Sequence, residues 1–198
     1  MNRINAGVML LALLAMAFQA PLAHAHNLRK KGETVTVADS TLSVTPGRDW
    51  NRLSGKAGKN VETWTLDGGQ LNDLTFFGGI VPGKPLVKER HKKKAPLPKF
   101  RKVTLLVELP ELLEGTYRTY KNIGTFRLIS TNPIKFLGQD GVTFTYEYTD
   151  QDQITRKGEA TAAIVAGKLY MVSFDAPRLH YFERTIADVR ALVATATL

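Results

Sequence analysis

From Val142 to Tyr148, apolar Val142, Phe144, Tyr146 and Tyr148 alternate with Thr143, Thr145 and Glu147. This period of two turns one face of a strand into a core. Asp150 to Gln153 turn the chain, Ile154 to Val165 return, Ala166-Gly167-Lys168 turn it again, and Leu169 to Phe174 form a short apolar run with Leu169, Met171 and Ser173 in alternation. The three runs predict an antiparallel meander. Beyond Ala176-Pro177, Phe182, Ile186, Val189, Val193 and Ala196 recur at spacings of four, three, four and three, lining one side of a helix. Thr185 with Asp188 fits a cap at that helix's N-terminus.

Upstream the pattern comes in shorter pieces. Thr34 to Val37 and Thr41 to Thr45 read as two short strands broken at Asp39-Ser40 and closed by Pro46-Gly47. Trp50 follows as a core anchor. After a loop from Gly55 to Asn60, Val61 to Leu66 alternate, Asp67-Gly68-Gly69 turn, and Leu71 to Val81 return as the second arm of a hairpin. Gly78-Gly79 in that arm predict a bulge rather than a phosphate loop, because no helix follows to supply an anion site. A helix is predicted over Pro110 to Lys121, with proline in its first turn and Leu109, Leu113, Tyr117 and Tyr120 as its buried stripe. Gly124 to Ser130 and Ile134 to Leu137 return to strand composition, and Gly138 to Gly141 turn into the meander. The order predicts an α+β fold, an antiparallel sheet flanked by helices of which one is C-terminal.

Residues 1–25 carry the marks of a cleavable signal peptide: Arg3, an apolar run from Val8 to Phe18, and Ala23-His24-Ala25 as a cleavage signature. The run is well short of the roughly 20 residues a membrane span requires. The mature chain is then expected to begin at His26, to form one domain over 26–198 without a transmembrane segment, and to reside in the periplasm or the medium. Having no cysteine, the chain is without disulfides, thiolate metal sites, a cysteine nucleophile or a lipidated cysteine anchor.

Charge changes the picture at one place. Residues 84–102 hold nine cations, Lys84, Lys88, Arg90, Lys92, Lys93, Lys94, Lys99, Arg101 and Lys102, against one acid, Glu89. Outside this stretch the charges of the mature chain balance. Pro85, Pro96 and Pro98 oppose a helix or central strand there, so an exposed excursion between the hairpin and the helix is expected. A charge run is ordinarily a solvated surface. Its functional reading is a docking loop for an envelope protein, an anionic membrane or lipopolysaccharide phosphates. Nucleic acid fits poorly, because an exported protein meets little of it and Phe100 is the loop's one aromatic residue.

The layout resembles the PsbP-like fold family, which includes PsbP and the DcrB-like bacterial envelope proteins, and is similar to uncharacterised secreted bacterial members. The residues that carry the likeness are Trp50, the stretch VETWTLDG over Val61 to Gly68, the helix over Pro110 to Lys121, and GKLYMVSF over Gly167 to Phe174 with a helix after it. The resemblance implies an α/β/α sandwich and an accessory or docking role without catalysis. It supplies no catalytic residues.

Motif searches agree with that absence of chemistry. No serine lies in a G-x-S-x-G elbow, no histidine spacing suits zinc, and no glycine-rich turn leads into a lysine and a helix. No metal or cofactor is expected. The alternative to the docking loop is a small-ligand binder or unrecognised enzyme with a pocket near Trp50, Trp64, Asp175 and His180, where Asp175 and His180 lie five residues apart across a proline. For such a pair a structural hydrogen bond is the ordinary reading.

Overall fold

The structure is a computed structural model that describes residues 28–55, 57–90 and 93–198. The expected leader over 1–25, the N-terminus at His26, and Lys92 lie outside the described residues.

Among the described residues, ten strands and two α-helices follow in the order β1 (Leu28–Arg29), β2 (Val35–Thr36), β3 (Ser43–Val44), β4 (Trp50–Arg52), β5 (Val61–Thr65), β6 (Asp73–Ile80), α1 (Leu109–Tyr120), β7 (Phe126–Phe136), β8 (Gln139–Thr149), β9 (Thr155–Val165), β10 (Lys168–Pro177) and α2 (Glu183–Val193). Eight strands form one antiparallel sheet in the order β1-β4-β5-β6-β10-β9-β8-β7, and β2 with β3 make a separate hairpin. The predicted meander is the half from β10 to β7. The predicted hairpin is β5 with β6, joined to the meander by the β6–β10 pairing.

Both faces of the sheet are covered. On one face α1 packs Leu109, Leu113 and Tyr117 against Phe77, Phe144, Tyr146, Tyr148, Leu169 and Met171. On the other, α2 and the β2–β3 hairpin pack Ile186, Val189, Leu192, Leu42 and Val44 against Trp50, Trp64, Phe76, Val172 and Phe174. This explains β10: its alternation of Leu169, Met171 and Ser173 faces α1, while the intervening Tyr170, Val172 and Phe174 face α2, so both sets are buried.

Local chemistry fixes several of these elements. Pro110 sits in the first turn of α1, where a missing N–H costs nothing, and Arg118 occupies the last turn. The Gly78-Gly79 bulge is present: Leu169 pairs with Ile80 but Met171 with Phe77, and Gly79 takes a φ of 68°. A side chain at Gly78 would meet Ser40 of the hairpin loop, so the glycine also sets how closely that hairpin lies on the sheet.

Three expectations are revised. The strand pieces on either side of Pro133 are one continuous strand, β7, which tolerates proline because it lies at the sheet edge. Thr185 is buried inside α2 rather than capping it, and a π-type turn over Arg178–Phe182 leads into the helix. The basic segment is not a free excursion: Leu86, Val87, Leu97 and Phe100 are buried in the α1-side core. Proline denies this segment regular structure, but the apolar residues between its lysines still gain from burial.

Candidate functional site

Two features on the α1 side of the sheet converge: the basic loop and a buried charged network. The loop is closed at its neck by paired backbone bonds, Gly83 N–H to Phe100 O at 2.7 Å and Phe100 N–H to Lys84 O at 2.9 Å. A further bond from Lys88 N–H to Ala57 O ties it to the loop before β5. Glu89 turns inward and accepts from Leu97 N–H at 3.3 Å. On this pinned frame Lys84, Lys88, Arg90, Lys93, Lys94, Lys99, Arg101 and Lys102 are all exposed. None of these eight forms an ion pair among the described residues, whereas Arg29, Arg48, Arg52, Arg118, Arg127, Arg156, Arg178, Arg184 and Arg190 all do. Arg90 lies over the Tyr120 ring, 4.6 Å from its centre, and donates to the Tyr120 hydroxyl at 3.2 Å.

The charged network centres on Asp175, which the β10 register places on the α1 face with no solvent exposure. Its carboxylate accepts from Tyr148 Oη at 2.5 Å and Arg156 Nε at 3.1 Å through one oxygen, and from Tyr117 Oη and Lys121 Nζ, each at 3.0 Å, through the other. Tyr117 comes from the last turn of α1 and Lys121 from the position that ends it, Tyr148 from β8 and Arg156 from β9, so three strands and the end of a helix meet at one carboxylate. Arg156 also donates to Asp175 O and Gln70 O. Asp73, paired with Asp175 across the β6–β10 ladder, adds a second carboxylate, and the hydroxyls of Tyr146 and Ser173 lie 3.4 Å from that of Tyr117.

The titratable groups here are shifted in different directions by burial and by one another. Burial alone would raise the Asp175 pKa, but Lys121, Arg156 and the Tyr148 hydrogen bond outweigh it and hold the carboxyl at about 2. Burial opposes the charge on Lys121, yet Asp175 overcomes this and raises its pKa. Tyr117, Tyr146 and Tyr148 are raised well above the usual phenol range, mainly by burial and, for Tyr117 and Tyr148, next by the Asp175 charge. Asp73 is raised by burial and then by Asp175. A base near 2, a strongly held ammonium and three reluctant phenols are the reverse of an acid–base set poised near pH 7.

A cavity of about 470 Å³ opens between α1 and strands β5 and β6. Its apolar walls include Leu53, Ala57, Val61, Phe77 and Val87, while Asp73, Tyr117 and Lys121 bring the charged network to its interior and Arg90 stands among its lining residues. An adjoining, smaller hollow of about 310 Å³ shares Asp73, Tyr120 and Lys121. Among the described residues no group of three or more His, Asp or Glu side chains is arranged to hold a metal ion.

The four residues of the alternative pocket are not brought together. Trp50 and Trp64 are fully buried on the α2 side, where Trp64 Nε1 donates to Glu62 Oε1 at 2.8 Å, so neither indole lines the α1-side cavity. Asp175 points to the opposite face. His180 is exposed in the π-type turn, 3.3 Å from the Arg184 guanidinium. Asp175 is thus at a site, but its partners are Tyr117, Lys121, Tyr148 and Arg156.

No family model matches the chain, and no curated protein matches it. Among solved structures it is similar to cyanobacterial PsbP (CyanoP) from Synechocystis sp. PCC 6803, with a TM-score of 0.56 and 12% identity over 86% of this chain and 91% of that one. Weaker likenesses reach the Ran-binding protein Mog1p of Saccharomyces cerevisiae, with a TM-score of 0.48, 8% identity, and 85% of this chain and 95% of that one covered. LpqN of Mycobacterium tuberculosis, involved in cell envelope biogenesis, has a TM-score of 0.36, 10% identity, and 86% and 78% covered. The likeness to PsbP, at 12% identity, establishes the fold alone.

Proposed function

We propose that this protein, whose fold is PsbP-like, is an exported accessory protein without catalysis of its own, which docks on an anionic envelope surface through its basic loop. The observation that carries this reading is the set of eight exposed cations, without an ion pair among the described residues, on a backbone pinned by four buried apolar side chains. A solvated charge run has no need of such a frame, whereas a docking surface gains from one, since a pre-ordered loop loses little entropy on binding. Each cation near an anionic membrane contributes up to about 1 kcal/mol, so the loop's attraction is large at low salt and fades as salt screens it. Export is supported by the leader pattern over residues 1–25. No helix among the described residues is long and apolar enough to cross a membrane. The absence of catalysis is supported by Asp175, Lys121 and the three tyrosines, whose pKa values are driven away from the range that acid–base chemistry requires.

The test is cosedimentation with anionic and neutral vesicles across a salt series, beside crosslinking capture from envelope extract, with Lys93, Lys94 and Lys99 changed to Gln in a second arm. Salt-sensitive binding to anionic vesicles that the triple variant loses supports a lipid surface. A crosslinked envelope protein lost in the same variant moves the target to protein. Equal behaviour of wild type and variant in both assays overturns the reading.

A further inference from the structure

We propose that the cavity between α1 and strands β5 and β6 is a binding site for a single-chain amphiphilic anion, an acyl chain ending in a carboxylate or phosphate, with its head held at Arg90. At about 470 Å³ the cavity is within the roughly 300–1,000 Å³ of small-molecule sites, which characteristically combine apolar walls with a few placed polar groups. Leu53, Ala57, Val61, Phe77 and Val87 come from two strands and two loops and offer hydrocarbon on several sides.

Charge sets the orientation. In the interior, the carboxylates of Asp73 and Asp175 face the cations of Lys121 and Arg156, so the network has no net charge to offer an incoming anion. Among the described residues that line the cavity, the charge without a carboxylate partner is that of Arg90, which is exposed and is held in place by Tyr120. Chain inward and head at Arg90 is therefore the arrangement that buries apolar surface and pairs the anion at once. The planar guanidinium keeps further donors to engage a carboxylate or phosphate.

This site shares Arg90 with the loop's exposed cations but is tested apart from the surface-docking reading, through variants that leave Arg90 in place. Dodecanoate, kept below its micelle concentration, is titrated into the protein by calorimetry without vesicles, beside dodecanol and acetate. The expected result is binding of dodecanoate and none of acetate. Arg90→Ala is expected to weaken dodecanoate by about tenfold or more, the loss of one charged hydrogen bond, while leaving dodecanol little changed. Ala57→Trp, in the loop before β5, fills the cavity and is expected to abolish both, with Ser54→Trp as a second blocking variant if the first lowers the melting temperature. No dodecanoate binding by the wild type, or equal binding by Arg90→Ala and a folded blocked variant, overturns the proposal. The Lys93, Lys94 and Lys99 triple variant is expected to keep dodecanoate binding while losing vesicles, and the blocked variant the reverse, so either reading can fail alone.

Discussion

Asp73 on β6 and Asp175 on β10 sit directly opposite each other in the antiparallel ladder, two carboxylates on one face of a covered sheet. Like charges in such a pair oppose folding. Lys121 and Arg156 compensate, but unequally: Asp175 is held well below its ordinary pKa, while Asp73 is pushed above its own, by burial and then by Asp175. A group whose folded pKa is raised contributes stability below its unfolded pKa and loses that contribution as pH rises through the folded one. Wild type at pH 7 thus lacks what a neutral side chain would retain. Asp73→Asn, which can still accept from Gln70 N–H, is expected to raise stability at pH 7 by about 1 kcal/mol. The gain should disappear near pH 3, and urea melts at the two pH values check it.

Asp175 has the opposite sign. Its pKa falls from an ordinary 3.8 to about 2 on folding, so its contribution is complete above about 3.8 and is lost as pH drops through about 2. The loss amounts to about 2 kcal/mol. Stability measured at steps through that window should fall in wild type, and the part of the fall due to this carboxylate should be missing in Asp175→Asn.

Removing the partners in turn should separate the network's members. Asp175→Asn leaves Lys121 and Arg156 facing a neutral amide and is expected to cost about 3–5 kcal/mol, the range for breaking a buried pair. Tyr148→Phe removes one charged hydrogen bond of 2.5 Å, leaves Tyr117, Lys121 and Arg156 on the carboxylate, and should cost about 1.5–3 kcal/mol. Chemical denaturation of both variants checks the order. Equal losses would mean that the tyrosine, not the ion pairs, holds the carboxylate.

The meander shows what was legible and what was not. The alternation of Val142, Phe144, Tyr146 and Tyr148 identified β8 and its buried face, because period two is a property of the local chain. The same parity in β10 runs Leu169, Met171, Ser173, Asp175, and it puts a carboxylate in a buried row. That was the available signal, and it called for buried cations. Lys121 and Arg156 were not recognisable as those cations, because each lies in a polar stretch whose inward residue depends on the pairing of β8, β9 and β10 with α1. His180 drew attention by nearness in sequence, yet the turn at Arg178–Phe182 carries it to the surface. In the basic loop, lysines dominated the composition and hid the four apolar residues that anchor it.

Gly158 on β9 lies opposite Tyr146 on β8, and a Cβ there would come within 2.3 Å of the Tyr146 ring. The absent side chain is what lets this phenol lie across the strand and reach Tyr117. Gly158→Ala is expected to cost about 1–3 kcal/mol as overpacking. Because the displaced ring belongs to the network, near-ultraviolet circular dichroism should change along with the melting temperature.

The last expectation concerns the two populations of side chain in the basic loop, which the structure separates by burial. Phe100 is 1% exposed and Leu97 5%, both in the α1-side core, while the lysines between and beside them face solvent. If the frame exists to present the cations, the two sets should fail in different assays. Phe100→Ala is expected to destabilise by about 3–5 kcal/mol and to free the loop for proteolysis. Lys93→Gln, Lys94→Gln and Lys99→Gln should each stay within about 0.5 kcal/mol of wild type in stability, as surface changes do, and by removing like charge they act in the stabilising direction. Limited trypsin digestion at Arg90 and Arg101, two cleavage sites that none of these substitutions touches, reads the frame directly: protection should survive in the lysine variants and fail in Phe100→Ala. Loss of protection in the lysine variants would instead make the cations part of what holds the loop, and the division between anchor and surface would not stand.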